Sequence, residues 1–236
     1  MSDLAQRLLE HVLSFSLDGV KLPRGVGVLD PFHGAHGLEV RRIVTRFHRT
    51  YYADQRPRLL MLGINPGRLG AGSTGLPFTD TKRCESELDI EVTGLRTHEP
   101  SSDFFYRMIA AAGGPATFYG QVYVHSVCPL GFVKRGPQGI DINLNYYDVP
   151  ALEKAVTPFV ERWLRTLIDS GMRTDRVICI GTGRNAAYFT KLNARLGLFG
   201  HIEAVEHPRY VMQYRARSMD LYIDKYVRAL AAAGCR

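Results

Sequence analysis

The sequence predicts an α/β protein, a three-layer α/β/α arrangement around a central four-stranded, largely parallel sheet. Four short apolar runs, typical of strands buried on both faces, occupy residues 58–64, 121–127, 176–181 and 202–206. Helical patterns separate these runs, and such alternation is typical of parallel sheets with right-handed crossovers and helices on both faces. Since the 236 residues contain neither a repeat nor a long linker, we expect residues 1–236 to form a single domain.

The helices are predicted from the spacing of apolar residues. Near the N-terminus, Ser2 or Asp3 is expected to cap an amphipathic helix, and residues 18–34 then have the glycines and prolines of a loop. A helix capped by Ser101 or Ser102 is predicted to bury a run of aromatic residues. Further helical patterns cover residues 38–51, 150–170, 182–196 and 218–233.

Composition and cysteine spacing exclude several classes of protein. With 45% hydrophobic and 22% charged residues, the chain is expected to be globular, and no apolar run is long enough to predict a membrane span. The N-terminal residues lack the apolar segment typical of a secretory signal. The cysteines form no C-x-x-C pair, which predicts reduced thiols, a cytoplasmic location and no metal site. These cysteines are Cys84, Cys128, Cys179 and Cys235.

The chain is basic. Thirty lysines and arginines against 23 aspartates and glutamates give a formal net charge of +7. A basic surface favours polyanionic partners, with DNA and RNA as the first candidates.

Polar residues follow each of the four predicted strands. Asn65 follows the first, Ser126 ends the second, a Gly181-Thr-Gly turn follows the third, and His207 follows the fourth. Each has an ordinary structural interpretation as a turn former or hydrogen-bonding residue. Ligands of parallel sheets bind beyond the carboxyl ends of the strands, however, and these four features share that edge. The sequence therefore predicts a functional site there.

Three familiar chemistries can be compared with these residues. The glycine-rich stretch 67–73 resembles a phosphate loop but lacks its lysine, and no G-x-S-x-G nucleophile elbow is present. Residues 181–186 match the G-x-G-x-x-A pattern of dinucleotide-binding turns, although few residues follow the last strand. An α/β enzyme that binds a nucleotide cofactor at Gly181–Ala186 therefore remains an alternative.

Three motifs, in the same order along the chain, resemble those of the single-strand-selective monofunctional uracil-DNA glycosylases. The positions at which this sequence departs from those motifs suggest a divergent second branch of that family. Residues 63–78 (GINPGRLGAGSTGLPF) are similar to its Gly-Met-Asn-Pro-Gly and Thr-Gly-Val-Pro-Phe, residues 124–130 to its Val-His-Asn-Leu-Cys-Pro-Leu, and His207-Pro208 to its last motif. Ser126 replaces the family's pocket asparagine, and the residues after Pro208 also depart from its pattern.

The resemblance implies a uracil-DNA glycosylase-like domain that hydrolyses the N-glycosidic bond of uracil in flipped-out nucleotides, with other deaminated bases left open. It implies that Asn65 orients a water and that neutral His207 stabilises the departing base. Phe78 would stack on the base, Ser126 would contact its edge, and the backbone at Ile64 and Gly67 would approach it closely. The matched motifs contain no lysine, which favours a water nucleophile.

The partner expected from this resemblance is DNA, single- or double-stranded. We expect no association with a membrane, and we expect the chain to be a monomer. No metal or organic cofactor is implied. The basic segment Arg209–Arg217 is expected to fill the gap left by the flipped base and to contact phosphates. Two cations after the second motif are expected to hold phosphates. These predicted DNA-binding residues are Arg209, Tyr210, Met212, Arg215, Lys134 and Arg135. A DNA-binding module without activity is the remaining alternative.

Overall fold

The computed structural model describes residues 3–15 and 19–235, so that the predicted cap Ser2 lies outside the described residues. The α-helices are α1 Leu4–Val12, α2 Gly37–Tyr51, α3 Ala71–Thr74, α4 Thr81–Leu88, α5 Pro100–Ala111, α6 Gly114–Tyr119, α7 Pro150–Asp169, α8 Arg184–Leu196, α9 Pro208–Tyr214 and α10 Met219–Ala232. The strands are β1 Val26–Leu29, β2 Leu59–Gly63, β3 Val122–Ser126, β4 Gly131–Arg135, β5 Asp141–Leu144, β6 Val177–Ile180 and β7 Ile202–Val205. No helix in these ranges combines the length and apolarity needed to cross a membrane.

The larger sheet has the strand order β3-β2-β6-β7, and every neighbouring pair is parallel. All residues of the central strands β2 and β6 and of the edge strand β3 are buried, as is typical of parallel sheets covered by helices on both faces. The four predicted strands and the α/β fold class are confirmed. At seven of the eight strand ends the predicted limit lies one residue outside the observed strand, and at the start of β7 the two agree.

A smaller antiparallel sheet has the order β1-β4-β5 and was missed by the sequence analysis. The prediction that residues 18–34 are entirely loop is wrong, since β1 lies within them. Its residues are only partly buried, and Val26 pairs with Lys134, far along the chain. A strand this short, stabilised by so distant a partner, leaves little periodic signal in its own sequence.

Helix α5 begins earlier than predicted. Glu99 precedes its first residue, Pro100, and the predicted caps Ser101 and Ser102 are both inside the helix and buried. Asp80 organises this corner: its carboxylate accepts hydrogen bonds from the Glu99 N–H (3.0 Å) and from the Ser102 hydroxyl (3.1 Å). The Ser102 hydroxyl therefore donates to the carboxylate of Asp80, on a neighbouring segment, and does not cap its own helix.

Candidate active site

A cleft of about 570 Å³ opens at the carboxyl edge of the parallel sheet. Its lining includes Asn65 after β2, Ser126 at the end of β3 and His207 after β7. Gly63 pairs with Ser126 across the sheet, which explains why the β2 and β3 ends present their polar residues to one space. The structure thus brings together three of the four strand-end features that the sequence singled out. The Gly181 turn is not among the residues that line this cleft.

Asn65 is held in one orientation by the segment that follows β5. Its Nδ2 donates to the carbonyl oxygen of Leu144 (3.1 Å) and also to that of Pro66 (3.3 Å), while its Oδ1 accepts from the Tyr146 N–H (3.1 Å). Because a carbonyl can only accept and an N–H can only donate, these bonds fix which end of the amide is oxygen. One lone pair of Oδ1 remains for a further donor.

His207 is a neutral hydrogen-bond donor at neutral pH. Burial, together with the nearby positive charge of Arg209, lowers the pKa of His207 to about 4. Its Nδ1 accepts a hydrogen bond from the Arg209 N–H (3.2 Å), which caps the start of α9. The proton of the neutral ring must therefore reside on Nε2, and this nitrogen is the donor that remains.

Acidification is expected to destabilise the fold, because burial also lowers the pKa of His48 to about 4 and of His125 to about 3. Below about pH 6.5 these three histidines become protonated in the unfolded chain but stay neutral in the folded protein. The free energy of unfolding therefore falls as the pH drops toward about 4. Glu99 opposes this trend, because its pKa is raised to about 7 and the folded protein keeps a proton there that the unfolded chain releases. The net slope would reach about 3 kcal/mol per pH unit, since about two protons remain if all three histidines contribute. Thermal unfolding followed by circular dichroism between about pH 7 and pH 5 measures it.

The His125→Phe variant should lower the slope of unfolding free energy against pH by the contribution of about one proton. The phenylalanine ring can still pack against Tyr123 and Trp163, but it does not titrate. A melting temperature that does not fall over this range in the parent protein would contradict the prediction.

Phe78 forms an aromatic wall of the cleft. Its ring stacks on Phe105 of α5 at a centroid distance of 4.6 Å and lies 5.5 Å from the ring of His207. Gly63 makes room for it, because a Cβ at that position would lie 3.1 Å from Phe78 Cζ. The backbone of Phe78 has a φ of +53°, in the left-handed region, so the loop presents this ring at some conformational cost. Phe78 is buried as a core residue would be, yet it lines the cleft.

The remaining predicted base-contacting residues also line the cleft. Ser126 is buried, and the Trp163 indole of α7 donates to its backbone oxygen (3.1 Å), which anchors the end of β3. The carbonyl oxygen of Ile64 accepts from the Cys128 N–H (3.1 Å) and is therefore already engaged. Gly67 lies against Asn143, whose Nδ2 would be 3.4 Å from a Cβ at that glycine.

Glu99 is a charged residue of the cleft that the sequence analysis missed. Burial raises the pKa of its carboxyl group to about 7, Asp80 contributes in the same direction, and Arg209 opposes them. The Oε2 atom is buried and, among the described residues, has no hydrogen-bond partner. It packs against Gly70, where a Cβ would come within 2.0 Å of it. A side chain larger than glycine at position 70 would displace this carboxyl group.

The predicted DNA-binding residues do not all lie at the cleft. Arg209 and Tyr210 line the cleft, and Met212 lines an adjoining cavity. Arg215 lies over the ring of Tyr210, 5.8 Å from its centroid. Lys134 and Arg135 are exposed on β4 and are not among the residues that line either cavity, and Arg135 pairs with Asp141 (3.3 Å).

Other residues that line the cleft were not among the predicted site residues. Asn143, Leu144 and Asn145 belong to β5 or follow it, and Gln213 belongs to α9. The alternation of polar and apolar residues over 141–144 is the only local signal that indicated a strand there. Nothing in that pattern indicates that the strand packs beside the Asn65 loop.

The turn at Gly181, the alternative cofactor site, is closed by its own side chains. Asn185 of α8 donates through Nδ2 to the Ile180 carbonyl oxygen (3.1 Å), and its Oδ1 accepts from the Tyr146 hydroxyl (2.8 Å). A Cβ at Gly181 would lie 3.3 Å from that of Asn185. The first glycine of the G-x-G-x-x-A pattern is therefore explained by its positive φ of +120° and its packing against α8.

Comparison with known families agrees with this geometry. The profile of the Uracil DNA glycosylase superfamily matches residues 50–231, a span that contains the β2 loop, the end of β3 and His207. The chain belongs to the uracil DNA glycosylase superfamily. The resemblance predicted from the three sequence motifs is thereby confirmed.

Two mammalian proteins are similar in sequence to this member of the superfamily. The chain is 31% identical over 172 residues to the rat single-strand selective monofunctional uracil-DNA glycosylase, covering 63% of this chain and 57% of that protein. It is 29% identical over 175 residues to the mouse single-strand selective monofunctional uracil DNA glycosylase, covering 64% and 58%. The matched region thus spans less than two thirds of either relative.

A solved structure matches the whole fold. The crystal structure of wild-type Pedobacter heparinus SMUG2 superposes with a TM-score of 0.95 at 44% sequence identity, covering 99% of both chains. At this coverage the similarity includes helix α1 and strand β1, which precede the region matched by the superfamily profile.

Proposed function

We propose that the protein is a monofunctional uracil-DNA glycosylase. It would hydrolyse the bond between C1′ of the deoxyribose and uracil, releasing the free base and leaving an abasic site in an uncut strand. The observation that carries this proposal is the placement of an oriented amide, Asn65, and a neutral Nε2–H donor, His207, in one cleft beside an aromatic wall. The names of the rat, mouse and Pedobacter relatives support it.

The uracil nucleotide would have to leave the base stack to reach this cleft. A glycosidic bond inside a stacked duplex is inaccessible, so enzymes of this kind extrude the target nucleotide. Phe78, already fixed by its stacking on Phe105, would receive the base without rearrangement. A base stacked on an aromatic ring gains about 1–3 kcal/mol, which offsets part of the cost of unstacking.

The two polar groups would act at opposite ends of the breaking bond. As the bond lengthens, its electron pair moves onto the base, and the Nε2–H of His207 donates to the base oxygen that becomes more negative. The free lone pair of Asn65 Oδ1 accepts a hydrogen bond from the water whose oxygen attacks C1′. Asn65 takes no proton, so the proton that the water loses goes to the departing base or to solvent. Among the described residues, no lysine lines the cleft, in agreement with water as the nucleophile.

The basic and aromatic face of α9 would hold the DNA beside the cleft. Arg209 and Tyr210 line the cleft and Met212 lines the adjoining cavity, while Arg215, Lys134 and Arg135 would contact flanking phosphates. Phosphate contacts of this kind give affinity that falls steeply with salt. We also propose that the protein acts as a cytoplasmic monomer.

Incubation with oligonucleotides tests the proposal. Single- and double-stranded oligonucleotides carrying uracil, hypoxanthine or xanthine are treated with the protein, then with alkali, and sized on a gel. We expect alkali-dependent cleavage at uracil and, after treatment with borohydride, no covalent protein–DNA adduct. Tight binding to uracil-containing DNA without base release would contradict an enzymatic function and indicate a binding module.

Ser126→Asn is expected to raise the preference for uracil over xanthine and hypoxanthine. An amide offers a donor and an acceptor to the pyrimidine edge where serine offers one hydroxyl, and a matched pair contributes about 1–3 kcal/mol of discrimination. The amide also occupies space that a purine needs. Ratios of single-turnover rates among the three bases measure the change. Unaltered ratios in a folded variant would remove Ser126 from the base-contacting residues.

A further inference from the structure

A second cavity of about 590 Å³ adjoins the cleft, and we call it the neighbour cavity. It is not a separate site on the surface, because six residues line both spaces. These shared residues are Gly67, Glu99, Ser101, Asn143, Arg209 and Gln213. A molecule that occupies the cleft therefore extends directly toward the neighbour cavity.

The neighbour cavity is largely aliphatic where it departs from the cleft. Its own walls include Leu69 before α3, Ile140 and Ile142 of the β4–β5 hairpin, and Met212 of α9. Leu69, Ile140 and Ile142 are 41%, 56% and 43% exposed. Of the seven large hydrophobic residues exposed in the described part of the chain, five line the cleft or the neighbour cavity. Such a concentration of exposed apolar surface is typical of a ligand-binding surface.

The polar groups of the neighbour cavity suit the edge and the phosphate of a nucleotide. The Glu99 carboxyl group lies at the junction, with Oε2 buried and without a hydrogen-bond partner among the described residues. Asn143 Oδ1 accepts from the Arg68 N–H (3.1 Å), which leaves its amino group as a donor. Arg68 and Arg209 add positive charge at the lining, and the carboxylate of Asp141, which also lines the cavity, is paired with Arg135 (3.3 Å). Aliphatic walls with a few polar groups are typical of sites that bind flat heterocycles.

We propose that the neighbour cavity binds the base of the nucleotide next to the uracil, so that the protein holds two adjacent unstacked bases. The proposal rests on the proposed function, because DNA is the ligand that would bring a second base to the junction. With uracil in the cleft, the adjoining nucleotide is tethered beside the cavity at a high effective concentration. In a duplex the same base is paired and stacked, so a second pair must open first, which favours single-stranded substrates.

Abasic spacers in single-stranded oligonucleotides test the proposal. A tetrahydrofuran spacer replaces the nucleotide immediately 5′ of uracil, immediately 3′ of it, or two positions away. We expect one of the two adjacent spacers to lower single-turnover kcat/KM about fivefold to tenfold, near the lower end of the range for stacked bases because the walls are aliphatic. The distant spacer should have no effect. Equal rates with both adjacent spacers and the intact strand would overturn the proposal.

A matched pair of variants assigns the effect to the cavity. Leu69→Ser with Ile142→Ser removes two exposed aliphatic walls, and we expect it to abolish the spacer penalty and reduce the advantage of single strands over duplexes. Leu38→Ser with Leu221→Ser alters exposed residues that line neither cavity and should keep both properties. A spacer penalty that persists in the first variant would overturn the assignment. Failure of the parent protein to release uracil from any oligonucleotide would instead overturn the proposed function, and this proposal with it.

Discussion

His207→Ala is expected to lower the single-turnover rate of uracil release by about 10²–10³-fold, the usual loss when a preorganised transition-state donor is removed. The Nε2–H of His207 stabilises negative charge that develops on the base only as the bond breaks. The affinity of the variant for uracil-containing DNA should therefore change little. Burial keeps the pKa of His207 at about 4, and the ring remains the same neutral donor throughout the neutral range. Rates with enzyme in excess, together with equilibrium binding to the same oligonucleotide, measure both quantities.

Two further variants separate donation from structure. His207→Asn keeps a side chain that can accept from the Arg209 N–H and cap α9, but it cannot place an N–H where Nε2 lies. We expect it to be as slow as His207→Ala while melting closer to the parent protein. His201→Ala, at an exposed histidine before β7, should cleave at the parent rate. Recovery of the rate in His207→Asn would show that the cap, and not the donor, supports activity.

The positions of the site residues could be predicted because the chemistry lies at strand ends. Asn65, Ser126 and His207 each follow an apolar run, and parallel strands bring their carboxyl ends to one edge. The sequence could not reveal the tautomer of His207 or the orientation of Asn65. Both depend on single backbone groups, the Arg209 N–H and the Tyr146 N–H.

Features that depend on distant segments were not predictable. β1 pairs with β4 across most of the first half of the chain, and neither strand carries a strong alternating pattern. Glu99 precedes a proline in a polar stretch and would ordinarily be taken for a surface residue. Its carboxyl oxygen Oε2 is buried because Asp80 binds the Glu99 backbone and Gly70 leaves room for the carboxyl group. The neighbour cavity, formed by β5, α9 and the loop after β2, has no local sequence signature for the same reason.

Asn65→Ala should also lower the rate of uracil release by about 10²-fold or more, because the attacking water loses the acceptor that orients it. This variant carries a structural cost of a different kind from the lost α9 cap of His207→Ala. The Tyr146 N–H loses its acceptor and the Leu144 carbonyl loses a donor, and an unsatisfied buried group costs about 1–3 kcal/mol. The melting temperature and the rate must therefore be measured together.

Asn185→Ala is the matched control, because Asn185 binds the same tyrosine from the other side. Its Oδ1 accepts from the Tyr146 hydroxyl (2.8 Å), and it does not line the cleft. We expect Asn185→Ala to destabilise the protein at least as much as Asn65→Ala, since Asn185 is fully buried, while retaining most of the activity. If Asn65 and His207 serve one transition state, the double alanine variant should lose less than the sum of the two free-energy costs. Equal rate losses in Asn65→Ala and Asn185→Ala would mean that Asn65 acts only by holding the segment around Tyr146.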